Sequence, residues 1–255
     1  MAKSNSIFPA ELEGIINKYS PYLMEVKKRL FFTLSVFFIG MVGGFVFYEK
    51  IILFLIKILD LRGINIVFTS PFQFINLAFS CGFTCGMILA FPLIISQVLS
   101  FLKPALRARE YKMVLYMVPF GIFLFLVGFF FGAVIMKWQI QIFLGRSTTL
   151  GIGNILDISK LLSVVLVTSA IMGVGFQSPI ALLTLMRMKV LKEAQVAKQR
   201  PWVYLGAFIF ALLLPIDSVV ADIILTLPLV ILFEVTLILH KVMVKTHTEN
   251  LLEGA

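Results

Sequence analysis

Glu110 closes the decapeptide Phe101-Leu102-Lys103-Pro104-Ala105-Leu106-Arg107-Ala108-Arg109-Glu110, which puts one carboxylate into a short loop otherwise decorated with positive charge. A solvated basic loop has no use for an acid. A loop that grips a cationic ligand needs one, held where water screens it incompletely. A second acid, Glu25, lies in Tyr22-Leu23-Met24-Glu25-Val26-Lys27-Lys28-Arg29-Leu30, just ahead of a long apolar run. Alone it reads as a helix-surface charge pairing with Lys28 or Arg29, worth a few tenths of a kcal/mol. Taken with Glu110 it suggests two carboxylates at one membrane face, enough to receive a pair of cations.

Three further polar groups interrupt apolar runs. Glu234 lies in Leu229-Val230-Ile231-Leu232-Phe233-Glu234-Val235-Thr236-Leu237, with no basic residue in the same run. An acid at such depth costs about 2.5 to 3.5 kcal/mol on insertion scales. It therefore lines a cavity or partner contact, or is a neutral acid bonded to a neighbouring helix. Gln177, in Gly173-Val174-Gly175-Phe176-Gln177-Ser178-Pro179, either serves an intramembrane polar contact or bonds a carbonyl freed by a kink at Pro179. Asp217 follows Pro215 in a turn, where N-capping of the next helix and a functional contact are equally open. Asp222 lies twelve residues before Glu234, about 18 Å towards the other side at helical rise.

The elements that must hold these groups follow from composition. With 60% hydrophobic residues and 26 Phe in 255 residues, and a mean hydropathy of +1.03, the chain has more apolar surface than a soluble domain could bury. It reads as an integral membrane protein. The first thirty residues contain Glu11, Glu13 and Glu25 without a small-residue cleavage pattern, so the first apolar run reads as a retained helix. Cys81 and Cys85, at i and i+4 in an apolar run, read as small packing residues. His240 and His247 have no metal-ligand spacing, and neither a metal nor a cofactor is expected. No nucleophile-and-base arrangement is recognisable, which disfavours an intramembrane enzyme.

Apolar runs long enough to span, about 20 residues, occur near 30–48, 73–98, 113–136 and 161–186. Two more, Trp202 to Leu214 and Val219 to Leu239, flank Pro215-Ile216-Asp217-Ser218 and give spans five and six. Between Pro201 and Pro215 a helix would measure roughly 20 Å against about 30 Å of hydrocarbon, so local bilayer thinning is expected there. Sixteen Lys and Arg fall on the face that carries the termini and six on the other. The positive-inside rule then places both termini in the cytoplasm. Much of the net charge of +9 is thus a topology signal, and nucleic-acid binding need not be invoked. On the outer side, Ile51 to Leu59 should lie along the interface as a helix. Ser70-Pro71 should start span two, and Asp157 or Ser159 should cap span four. Trp138 and Trp202 suit interfacial anchoring.

The expected architecture is an all-α membrane protein with six transmembrane helices, both termini inside, and short fifth and sixth spans. Residues 1–29 form a cytoplasmic arm, 30–240 the membrane domain and 241–255 a cytoplasmic tail.

Pro92, Gln97, Phe101, Pro104, Leu106 and Glu110 form a P-x4-Q-x3-F-x2-P-x-L-x3-E pattern. With Tyr22 to Leu30, Arg200-Pro201, Pro215, Asp217, Pro228 and Glu234, it resembles the TatC family, the polytopic subunit of the twin-arginine protein translocase. The likeness runs in order and spacing over nearly the whole chain. Departures occur at Gln177, where the family often has Glu; at Leu214-Pro215-Ile216-Asp217, usually Thr-Pro-Pro-Asp; at Ala221, commonly Gln; and at Leu99 and Arg107, which replace an aromatic pair.

The resemblance implies a receptor for twin-arginine signal peptides in the inner membrane. It also implies a core subunit that assembles with single-span TatA/TatB-type subunits, and with further copies of itself, to pass folded proteins across the bilayer. Glu110 would be the principal arginine acceptor and Glu25 the second, with Phe101, Pro104 and Leu106 shaping and shielding the loop. Glu234 and Gln177 would line a concavity for a polar group of a partner helix. The competing class is a proton-coupled small-solute secondary transporter, for which intramembrane acids are equally ordinary, although the absence of an internal repeat weakens an inverted-repeat design.

Overall fold

The computed structural model describes the backbone of residues 10–59, 66–67, 70, 72–101, 108–149, 156–187, 190–191, 193–216 and 218–253. Side chains are described from residue 24 onwards, outside 66–67, 98–101, 108–117, 147–148, 156, 193 and 243–253. Pro104, Leu106 and Asp217 lie outside the described residues. For Phe101 and Glu110 only the backbone is described.

Nine helices occupy the described residues: α1 (Ala10–Val46), α2 (Tyr48–Leu59), α3 (Gln73–Phe101), α4 (Ala108–Thr149), α5 (Ile158–Gly175), α6 (Ser178–Arg187), α7 (Glu193–Lys198), α8 (Arg200–Leu212) and α9 (Val219–Glu253). Five stretches are long and apolar enough to span: Met24–Val46, Gln73–Gln97, Val118–Arg146, Ile158–Arg187 and Val219–Val242. The shorter apolar helix α8 completes six, so both ends of the chain lie on one face. Large side chains such as Phe31, Phe38, Phe123, Phe130 and Ile231 stand exposed on these helices, as a lipid-facing surface requires.

The fifth span is short, as its flanking prolines dictate: α8 has 13 residues, about 20 Å at helical rise. The sixth is not. Expected to match the fifth, α9 instead runs 35 residues, because no breaker follows Pro228 and the helix carries on through the polar tail. Helix α1 begins at Ala10, inside the segment assigned to the cytoplasmic arm, and continues through Pro21. Arm and first span share one helix.

Helices α1 and α3 pack antiparallel on a seam of small residues. A Cβ added at Gly44 would stand 2.7 Å from the Cys81 carbonyl oxygen, and one at Gly82 would stand 2.6 Å from that of Met41. Cys81 and Cys85 are free thiols in this seam, the packing role read from their spacing. At the inner end the Thr33 hydroxyl donates to Gln97 Oε1 at 2.7 Å, joining the two helices again. Gly128, Gly132 and Gly173 give α4 and α5 a similar close approach against Met172, Ser169 and Phe125.

The outer face is organised by Asp157. Its carboxylate caps α5 by accepting from the Ser159 and Lys160 amides, and its other oxygen accepts from Gln73 Nε2 at 2.6 Å. Ser159 Oγ donates to the Gln73 carbonyl. Two-residue strands β1 (Ile66–Val67) and β2 (Leu156–Asp157) pair in parallel beside this network. Span two is described from Gln73, with the Ser70 carbonyl accepting from the Gln73 amide, and Pro71 lies outside the described residues. Helix α2 covers the segment expected to be helical after span one and lays Ile51, Ile52, Leu55 and Ile56 on a core of Leu77, Met136, Ile140 and Leu162. Its other face exposes Leu53 and Phe54.

Candidate functional site

The ends of α1, α3 and α4 place the two predicted acceptor acids. From the Thr33–Gln97 contact, α1 runs back eight residues to Glu25 and α3 runs on four to Phe101, about 12 Å and 6 Å at helical rise. Both advances go in the same direction, towards the inner face. Glu110 is the third residue of α4, on the far side of the short connection from Phe101. The backbone therefore brings Glu25, Phe101 and Glu110 to one membrane face.

Glu25 has a partner already: Arg29 Nη2 lies 2.6 Å from its Oε1, one helical turn along. The pair is open to solvent, with the Glu25 side chain 60% exposed, so it contributes only about 0 to 1 kcal/mol. An incoming guanidinium can exchange for Arg29 at small cost. The geometry makes Glu25 an available acid rather than a sheltered one, and the bland reading of a surface pair with Arg29 describes its resting arrangement.

Glu234 has two partners on α8. Arg200 Nη2 lies 3.0 Å from Oε2, and the Tyr204 hydroxyl donates to Oε1. Arg200 and Tyr204 are one turn apart at the start of α8, so their polar ends reach α9 together. The Tyr204 ring is fixed edge-on against Phe233 at 6.1 Å. The counter-charge to Glu234 comes from the neighbouring helix. Arg200-Pro201 carried the signal: Pro at the start of a helix fixes where its first turn begins, and two antiparallel spans with a tight turn bring that start level with the inner half of the second. The pair is half-exposed, at 48% for Arg200 and 30% for Glu234.

Gln177 sits in the break between α5 and α6. Its amide bonds Val174 O in a tightened turn, which frees the Gly173 carbonyl. Its side-chain Nε2 donates to that carbonyl at 3.4 Å and to Gly121 O of α4 at 3.0 Å. The kink role read from Pro179 is thus filled. Its Oε1 has no hydrogen-bond partner among the described residues. Gln177 faces α4 and Glu234 faces α8, so the structure does not gather them around a single concavity. Asp217 lies outside the described residues; beside it Ser218 stands at the N-terminus of α9, its hydroxyl 3.5 Å from the Ala221 amide. The described residues contain no group of His, Cys, Asp and Glu able to hold a metal.

Residues 21–228 match the sequence model of a family described as Sec-independent protein translocase protein (TatC). TatCy of Bacillus subtilis strain 168 is 28% identical over 227 residues, covering 86% of this chain and 87% of that protein. A TatC from Listeria innocua is 31% identical over 228 residues, covering 85% and 88%. Among solved structures, the twin-arginine translocase receptor TatC crystallised in DDM superposes with a TM-score of 0.75 at 25% identity, covering 86% of this chain and 98% of that one.

Proposed function

The chain belongs to the TatC family of Sec-independent protein translocase proteins, and from that premise we propose that it is the twin-arginine signal-peptide receptor of its translocase. It is a multi-pass protein of the inner membrane and acts by binding, with no covalent chemistry. On this reading it also forms the translocase core, assembling with single-span TatA/TatB-type subunits and with other copies of itself to export folded precursors.

The observation that carries the receptor reading is the Thr33–Gln97 bond, which sets the inner ends of α1 and α3 side by side, with Glu25 beyond it on α1. A guanidinium presents a planar fork that a carboxylate holds through two parallel hydrogen bonds, which an ammonium cannot imitate. Two acids on separate helices suit two successive arginines. Glu110 takes one and Glu25, released from Arg29, takes the other, while Phe101, Pro104 and Leu106 supply apolar surface for the hydrophobic part of the signal peptide. Partner helices meet the polar pair Glu234 and Arg200, whose half-exposed position leaves hydrogen-bonding capacity open, and Asp217 and Gln177 offer further polar contacts.

Site-specific crosslinking of a twin-arginine precursor to the purified complex, with export measured in parallel, tests the assignment. Glu110→Gln lowers both capture and export, and Glu25→Gln lowers capture less. Unchanged capture and export by Glu110→Gln overturns the receptor role.

A further inference from the structure

The short α8 leaves a gap on the outer side. At about 20 Å in a hydrocarbon layer of about 30 Å, its turn into α9 stops about 10 Å below the outer surface. A cleft of about 240 Å³ opens at this place, lined by Met136 and Gln139 of α4, Lys160 and Val164 of α5, and Pro215 and Ile216 of the turn. Val164 stands seven residues into the segment capped by Asp157, about 10 Å down at helical rise. The depths of the two walls agree.

In this cleft and deeper in the bundle stand polar atoms without partners among the described residues. Gln139 Oε1, Ser163 Oγ, Thr168 Oγ1 and Asp222 Oδ1 are buried and make no hydrogen bond among the described residues. Thr168 is 0% exposed and Asp222 4%. Thr168 continues the Val164 face of α5 one turn deeper. Asp222 stands one turn into α9, its amide bonded to the Ser218 carbonyl. One to two turns deeper along α5 and α9 stand Met172, Phe176, Leu225 and Leu229, buried in one apolar cluster. Thr168 and Asp222 sit about 15 Å from the outer surface, near the midplane, deeper along α5 and α9 than the cleft-lining Val164 and Ile216.

Orphaned buried polar atoms are rare and costly, and a carboxyl in hydrocarbon is among the costliest. Water satisfies such groups where a polar cavity is roomy enough, and this cleft exceeds the roughly 30 Å³ share of one water severalfold. We infer that Asp222 is a proton-binding site in contact with the outer aqueous phase alone: its carboxyl takes up a proton from water entering by this cleft and returns it by the same route. Asp157 and Lys160 are the charged groups at the mouth, and Lys137 on α4 is turned away to the Ile58 carbonyl. Arg200 and Tyr204 on α8 and Glu234 on α9 are engaged with one another beyond the apolar cluster. The site responds to outer pH, and the inner compartment is screened from it.

Infrared spectroscopy on the full-length protein in lipid bilayers tests this without reference to export. The expected result is a protonated-carboxyl band that is lost in Asp222→Asn, disappears as pH is raised, and shifts promptly in heavy water. Val164→Phe plugs the cleft and abolishes the prompt shift while the band remains; Ile216→Phe is the second plug should that variant fail to fold. A band at Asp222 that ignores pH and heavy water, no band assignable to Asp222, or prompt exchange persisting in a folded plugged variant overturns the inference.

Discussion

Gly44→Ala, compared with Gly43→Ala, isolates the cost of spreading the seam between α1 and α3. The methyl at position 44 would stand 2.7 Å from the Cys81 carbonyl oxygen and 2.7 Å from Cys85 Cβ, whereas position 43 has nothing within 4 Å. Both obstacles at position 44 are fixed to the α3 backbone, so the helices themselves must move apart. Each substitution gains roughly 0.5–1 kcal/mol by removing a glycine from a helix interior, and that gain cancels in the comparison. What remains is overpacking, about 1–3 kcal/mol. At about 2–4 °C per kcal/mol for a chain of this size, Gly44→Ala melts several degrees below Gly43→Ala. Cys81 and Cys85 lie in the seam as free thiols, so a thiol-reactive fluorophore followed on heating in detergent reads its opening directly. Equal melting and equal thiol protection in the two variants would refute the close-packed seam. Since the same seam ends at Thr33 and Gln97, Gly44→Ala also weakens precursor capture.

A double-mutant cycle on Arg200→Gln and Glu234→Gln gives a coupling of about 0–1 kcal/mol, because the pair is half-exposed, and thermal melts of the four proteins measure it. Gln177→Leu strips partners from the Gly121 and Gly173 carbonyls and costs about 1–3 kcal/mol; a melt unchanged from the parent would contradict the hydrogen bonds assigned to Nε2. Asp157→Ala removes the cap of α5, for about 0.5–2 kcal/mol, and releases Gln73 as well. It loosens the outer ends of α3 and α5 together, which hydrogen exchange at the Ser159 and Lys160 amides reports.

Span positions, the short helix after span one, the Asp157 cap and the kink at Gln177 were legible in the sequence because each rests on local chemistry: apolar run length, a capping side chain, a proline. The shortness of α8 was legible for the same reason, being bounded by Pro201 and Pro215. The length of α9 was not, since a polar tail can end a membrane span without ending a helix. Contacts between helices were the least legible. Nothing along the chain pairs Thr33 with Gln97, or gives Glu234 its Arg200 and Tyr204, until the packing angle and register of two helices are known. The seam between α1 and α3 was no more legible: Gly43 and Gly44 are indistinguishable in sequence and opposite in environment.

The most direct test of the account is the affinity of the purified complex for a twin-arginine precursor against its twin-lysine version, measured for the parent chain and for Glu110→Gln. The parent should favour the arginine form strongly, and Glu110→Gln should lose most of that preference while binding the lysine form as before. Equal discrimination by the parent and by Glu110→Gln would contradict the claim that carboxylates at this face read the guanidinium pair.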